Sequence, residues 1–410
     1  MKHKTLILAL TCFTVVASAA EKTPSMEEMW AIIQQQQKTI EILQEQLNQQ
    51  DQTVKQEVQQ VEAQVSARLD DQQEALAVVA DAIEEQSEPT NRVKIGGYGE
   101  LHYNNLDSGE EIDFHRFVMF FGYDFNEKTR FFSEFELEHA LAGDGKPGEV
   151  ELEQAYIEYL FNDSTKGTAG VNLMPVGILN ETHEPDTFYG VERNNVESRI
   201  IPSTWWEAGL GFNKQFNDTL GLDLFVSSGL NVPTAGNNAF LIRSGRQKVA
   251  EAVASNWAYT ARLRYNPMPG LKLAATYHHQ TDLTQGVLDV PADLFEVNAQ
   301  YYKNGFGLKA LYAHWDLDNN VDVVNPARAE QSGYFIEPSY RFGAERQYGV
   351  FTRYSVYNNN AGDRNALDIE QFDIGMNYWL TPTTVFKFDY QDQSEGGSDD
   401  GFNLGVGYSF

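Results

Sequence analysis

The side chains best able to do chemistry crowd into one stretch of the chain. Residues 175–205 carry Glu181, His183, Glu184, Asp186, Glu192, Arg193, Glu197 and Arg199. Opposed charges with little apolar surface suit a constriction in a water-filled passage, where an ion exchanges hydration water for fixed polar groups. The competing reading is that these charges pin the segment to a wall by ion pairs. A second set sits at alternate positions of extended segments: Arg116, Arg130, Glu134, Glu136, Arg262, Arg264, Lys272, Lys387 and Asp389. These fit the wall of a polar lumen. The alternative is pairing with acidic neighbours, each pair worth little when exposed. A basic wall facing an acidic loop would set up a transverse field.

Catalytic and metal patterns are weak by contrast. His278 and His279 are adjacent on an extended segment, so they point to opposite faces and do not readily share a metal. His102, His115, His139, His183 and His314 are scattered and show no H-E-x-x-H spacing. No G-x-S-x-G elbow occurs. We therefore expect no metal, no cofactor and no enzyme. A lipid-hydrolysing barrel would need a Ser and His pair that is not evident. Asp316, Asp318, Asn319, Asn320 and Asp322 offer oxygen ligands of the kind Ca²⁺ takes, although a solvated acidic loop is the simpler reading. Arg243, Arg246 and Lys248, followed by the apolar run from Val249 to Ala254, suggest a short helix with a basic start. It would fold into a pore, cover a neighbour, or stand exposed with no transport role.

Composition narrows the classes. The 410 residues hold 59 acidic and 30 basic side chains, a formal charge of −29. Nucleic acid is excluded as the main partner, because phosphate binding needs a basic stripe. The mean hydropathy of −0.44 excludes a bundle of membrane helices. Yet 25 Phe, 20 Tyr and 32 Gly point to a β-rich protein that shows aromatics to something other than water. The single cysteine, Cys12, excludes disulfide scaffolds, Cys-type zinc sites and thiol enzymes.

The elements that must position the charged residues follow in order. Residues 1–20 read as a secretory signal, with Lys2 and Lys4, an apolar core from Leu6 to Val16, and Ala17-Ser18-Ala19 for cleavage. The apolar run is too short for a membrane anchor. Residues 21–88 read as a periplasmic coiled coil. They lack glycine from 27 to 88, and Ile33, Ile40, Leu43, Leu47, Val54, Val58, Val61 and Val65 recur at heptad-like steps. A disordered Gln-rich linker is the alternative. Residues 89–92 form a linker.

From 93 to 410 the period changes to two. Sixteen extended segments, most of ten or more residues, match the 9–11 that a tilted membrane strand needs. Seven short turns such as Asn126-Glu127, Asn217-Asp218 and Asn304-Gly305 alternate with eight longer polar loops. Short periplasmic turns and long outer loops mark outer-membrane barrels. The faces agree. Trp257, Tyr259, Leu263 and Tyr265 oppose Thr260, Arg262 and Arg264, and Phe131 and Phe135 oppose Arg130, Glu134 and Glu136. Phe117 to Phe121 is apolar on both faces, which implies a protomer contact or a packed loop. Phe402, Leu404, Val406, Tyr408 and Phe410 alternate up to a terminal aromatic, a pattern that resembles the last-strand signal of outer-membrane proteins. The expected fold is an all-β, 16-stranded antiparallel transmembrane barrel preceded by a helical coiled coil.

A family resemblance adds to this. Gly170-Val-Asn-Leu-Met-Pro175-Val-Gly177, then Glu181, Phe188, Glu192-Arg193, Pro202 and a Gly209/Gly211 strand, resembles the phosphate-selective porin O and P family. The segments Phe131 to Glu138 and Glu151 to Tyr159 look similar to its early strands. The resemblance implies a trimeric, sixteen-stranded pore with the loop after strand five folded inward. One departure stands out. Residues 94–410 hold 23 basic and 44 acidic residues, so the anion selectivity of that family is not carried over. The expected function is passive diffusion of small hydrophilic solutes or ions across the outer membrane. The expected partners are membrane lipids, two further copies of the chain, and peptidoglycan or periplasmic proteins through the coiled coil. The alternative is a tether to the cell wall with a plugged or incidental pore.

Overall fold

The computed structural model describes residues 92–318, 324–394 and 399–410, with isolated helical positions between 26 and 45. The expected signal, most of the expected coiled coil and its linker, and Asn319, Asn320 and Asp322 of the expected Ca²⁺ loop lie outside the described residues. Two compact units divide at Thr90, and the second, Asn91–Phe410, is the barrel.

Its strands are β1 (Val93–Leu106), β2 (Gly109–Asp124), β3 (Thr129–Glu138), β4 (Val150–Asn162), β5 (Thr165–Leu173), β6 (Trp206–Gln215), β7 (Leu220–Ser227) and β8 (Ala258–Met268). The second half comprises β9 (Leu271–Gln280), β10 (Ala292–Lys303), β11 (Phe306–Leu317), β12 (Glu330–Phe342), β13 (Tyr348–Asn358), β14 (Ile369–Thr381), β15 (Thr384–Ser394) and β16 (Gly401–Ser409). Each strand pairs antiparallel with its neighbours in sequence, and β1 pairs with β16 to close the barrel. Closure leaves no unpaired edge, which a lipid environment would not tolerate. Phe410 completes the seam by exchanging backbone hydrogen bonds of 2.9 and 3.0 Å with Gly97.

The short turns form for local reasons. The Asn126 side chain accepts from the amides of Lys128 and Thr129, and Asn217 accepts from those of Thr219 and Leu220. Such Asx turns satisfy backbone donors without a longer loop. Period two then sorts the faces. Tyr259, Leu263, Tyr265, Phe135 and Phe388 are exposed, whereas Thr260, Glu134, Glu136 and Asp389 are buried inside. An apolar outer band around a polar interior is the arrangement of a barrel in lipid.

The interior is not uniformly polar. The loop between β5 and β6 folds into the barrel and packs Met174, Val176, Ile178, Val196, Ile200, Ile201 and Trp205 against Leu294, Leu311, Trp315 and Phe335 of the wall. Leu230, Val232, Phe240 and Ile242, from the loop between β7 and β8, join the same cluster. In the run from Phe117 to Phe121 the inward residues pack on neighbouring strands. Val118 and Phe120 face inward, where the Phe120 ring lies 5.7 Å from that of Tyr98.

The expected helix after Arg243 is not formed. The loop holds a single 3₁₀ turn, Ile242–Gly245, and residues 249–254 are irregular. The side chain of Gln247 both accepts from the Val253 amide and donates to its carbonyl, satisfying locally the groups that a helix would have paired.

Candidate pore constriction

The inward loop is shaped first by its own residues. The Glu197 carboxylate accepts hydrogen bonds of 2.6 Å from the amides of Ile178 and Leu179 and one of 2.9 Å from Asn194. Gly177 permits this. Its φ is +77°, and a Cβ there would lie 2.6 Å from the same carboxylate. Asn180 clamps the loop base by donating to the carbonyls of Met174 and Trp205 and accepting from the Trp205 amide. Glu197 is fully buried. Burial pushes its carboxyl pKa up, against the hydrogen bonds that favour the charge.

The wall then holds the loop. Lys387 donates to the Gly190 carbonyl at 2.9 Å and lies 3.6 Å over the Phe188 ring. Asp389 accepts from the Val191 amide at 2.6 Å. Arg353 packs against Gly190, whose φ of +83° favours glycine and where a Cβ would lie 3.3 Å from the guanidinium, and is itself fixed by Asp373 at 2.9 Å and Glu337 at 3.4 Å. Ser409 donates to Asp186 at 2.6 Å, and Trp315 donates to the Ile200 carbonyl at 3.0 Å. The loop thus crosses from β1 and β16 to β11.

On the other side, His183 is buried between Glu134 of β3 and Glu153 of β4, 3.3 Å from each, and its Nδ1 donates to the Asn180 carbonyl. Burial opposes a charge on the ring, but the two carboxylates outweigh it and raise its pKa to about 10. Glu192 contacts His102 at 2.9 Å and Asn104 at 3.1 Å.

Between this wall and the loops lies a cavity of about 360 Å³ toward the long-loop end. Glu136, Glu138, Glu151 and Glu153 of β3 and β4 line one side, and Arg193, Arg199, Arg243 and Arg246 of the two inward loops line it too. Arg116 pairs with Glu100 and Glu136, and Lys248 pairs with Glu149 and Glu151. The four loop arginines form no ion pair among the described residues. Arg193 donates to the Thr204 hydroxyl, Arg243 to the Ser198 and Ser203 carbonyls, and Arg246 to the Thr204 carbonyl. Burial first, then the charges of Arg246, Arg199 and Arg193, lower the Arg243 pKa. A guanidinium nevertheless stays charged at neutral pH. Toward the short-turn end a second cavity of about 260 Å³ is lined by Glu158, Lys166, Glu181, Asp223 and Arg262.

The expected loop residues therefore have unequal positions. Glu192, Arg193 and Arg199 line the outer cavity, and Glu181 reaches the inner one, where it pairs with Arg262. Glu197 lines neither of these cavities and holds the loop together. His183 is enclosed by carboxylates. Asp186 anchors the loop to β16 and β14, and Glu184 is half-buried. Of the wall residues, Arg116, Glu134 and Glu136 surround the loop level. Arg262 and Arg264 share Asp223, each with a contact of 2.8 Å. Arg130 pairs with Asp124 and Glu158 near the short turns, and Lys272 is exposed at that end.

The expected polarity of a basic wall and an acidic loop is met at Arg262 and Glu181 and at His102 and Glu192. At the outer cavity most carboxylates lie on β3 and β4 and most arginines on the loops, with Arg116 and Glu192 as exceptions. Sequence reading missed Glu100, Glu153, Asp223, Glu337, Arg353 and Asp373. Their signal was a charge on the parity opposite the strand's aromatic and aliphatic residues.

A closed sixteen-stranded barrel, apolar outside and narrowed by an inward loop, is the architecture of a membrane channel. The family model described as Gram-negative porin matches residues 75–398, and the chain belongs to that family. An uncharacterized protein of Aquifex aeolicus (strain VF5) is 29% identical over 351 residues, covering 78% of this chain and 80% of the relative. Among solved structures, Salmonella typhi OmpF in complex with daunomycin is similar in fold, with a TM-score of 0.55, 15% identity, and coverage of 78% of this chain and 97% of that one. The anion-selective porin from Comamonas acidovorans has a TM-score of 0.54, 13% identity, and coverage of 78% and 99%. The chain is an outer-membrane porin that lets small hydrophilic solutes cross by passive diffusion.

Proposed function

We propose that solutes pass the loop level between the β3–β4 carboxylates and the loop arginines, with anionic ends drawn to Arg193, Arg199, Arg243 and Arg246. The observation that carries this reading is that, among the described residues, these four groups form no ion pair with a carboxylate while Glu136, Glu151 and Glu153 line the same cavity. Fixed charges of opposite sign across a narrow passage orient a dipolar solute. The arginines repel one another, and an anion between them relieves that repulsion. This favours the part of the phosphate-selective resemblance that concerns anions, despite the acidic total. The charge of −29 counts groups that never touch the passage.

Reversal potential in a salt gradient across a planar bilayer tests the reading. Anion preference that falls in Arg243→Ala/Arg246→Ala supports it. Cation preference unchanged by that substitution overturns it.

The trimer implied by the resemblance suits this channel, and the heptad-like spacing in residues 21–88 suits a periplasmic three-helix assembly that reaches peptidoglycan or periplasmic proteins. The helical state of the described residues between 26 and 45 is in keeping with it. Sedimentation of the full chain and of a variant lacking residues 21–88 separates the contributions of the barrel and the helix.

A further inference from the structure

We propose that Asp113, His115 and His139 form a binding site for a divalent late first-row cation, with Zn²⁺ as the type, at the long-loop rim of the channel. The Nδ1 atoms of His115 and His139 lie 3.2 and 2.7 Å from the same carboxylate oxygen of Asp113. One ligand atom from each of the three residues falls within 4.8 Å of the others. Ligands around a tetrahedral Zn²⁺ at about 2.0–2.1 Å stand roughly 3.3 Å apart, so side-chain adjustment alone closes the set.

The backbone explains why these three meet although their sequence spacing hides it. The β1–β2 register shifts between Glu100 and His102. Such a bulge re-aims side chains. His115 and Arg116, adjacent in sequence, consequently both line the lumen. His139 follows β3, and its amide donates to the His115 carbonyl at 3.1 Å, which sets the two imidazoles side by side. The His102 ring stacks on His115 with centroids 4.7 Å apart, and Glu100 and Glu192 hold His102 in place. Outer contacts of this kind fix the orientation of a ligating imidazole.

Two imidazoles and one carboxylate suit Zn²⁺, Ni²⁺ or Cu²⁺ and leave a coordination position for water. Ca²⁺ and Mg²⁺ prefer all-oxygen shells and fit poorly. All three side chains are only half-buried, so a cation reaches them from the lumen.

The test is titration of the full chain, folded in detergent micelles, with Zn²⁺ by calorimetry and with Co²⁺ by visible absorption. One ion per chain is expected, with binding weakened at least about 10-fold in His115→Asn, His139→Gln and Asp113→Asn. His279→Ala, which alters a His–Asp pair on β9 and β10, should leave affinity unchanged. Native-like electrophoretic mobility of each variant before heating shows that its barrel has formed. Stoichiometric binding lost in these variants supports the site. No binding by the folded wild type, or binding equally strong in His115→Asn and His139→Gln, overturns it.

Discussion

On the side of the lumen lined by β7 and β10–β13, the inward loops are packed through Trp205, Ile200, Ile201, Leu230 and Ile242 against Leu294, Leu311 and Trp315. On the side lined by β1–β4, the loop meets Glu134 and Glu153 through His183, beside the wall's own Arg116–Glu100 and Arg116–Glu136 pairs. The apolar contacts are non-directional and exclude water, so they fix the depth of the loop. The charged contacts are directional, and the polar cavity beside them, lined by Glu136, Glu151, Arg193 and Arg199, is where water and solutes have room. A channel needs both: one side to hold the constriction rigid and one side to stay open to solutes.

The largest effect should come from breaking the packed side. Trp205→Ala removes a fully buried side chain at a cost of about 3–5 kcal/mol. Single-channel recording should show larger and noisier conductance, and heat-modifiability gels a lower unfolding temperature. Next, Glu197→Ala leaves the Ile178 and Leu179 amides without their acceptor, costing about 1–3 kcal/mol per buried donor. The same two measurements should show a weaker version of the Trp205→Ala effect. If conductance is unchanged in both, the packed side does not set the constriction.

On the charged side, Arg243→Ala/Arg246→Ala should cut anion permeability by about 2- to 10-fold, roughly 0.4–1.4 kcal/mol of selectivity, with little change in stability. The pH response sharpens the same contrast. The His183 pKa is raised to about 10 from an ordinary value near 6.5. Its protonated form therefore stabilises the folded barrel fully below about pH 6.5, and that contribution is lost as pH rises through about 10. The difference in unfolding temperature between wild type and His183→Gln should shrink over that interval. A constant difference would mean that His183 acts by packing alone. Smallest of all, Lys272→Ala, at the exposed short-turn end, should change stability by no more than about 0.5 kcal/mol and leave conductance as it was.

Much of the barrel was legible beforehand because period two is a local property. The alternation of Tyr259, Leu263 and Tyr265 with Thr260, Arg262 and Arg264 already states which face meets lipid, and Asn126 and Asn217 announce their turns. The loop was legible as a charged block between two glycine-bearing motifs. Its internal roles were not. Glu197 and Glu192 look alike in sequence, yet one ties backbone amides and the other borders the lumen. The helix expected after Arg243 failed for a related reason. The Gln247 side chain pairs with the Val253 backbone, and Arg243 and Lys248 reach partners on other segments.

Strand number, lipid-facing pattern, turn positions and the place of the inward loop were determined by the sequence itself, since each depends on residues a few positions apart. Tertiary structure alone decided which charges meet. Asp113 and His139 are separated by 26 positions, Glu153 and His183 by 30, and Arg243 and Ser198 by 45. Strand register, one bulge and the depth of two loops brought them together. A single-residue shift in register would send the strand side chains among them, Asp113 and Glu153, to the opposite face.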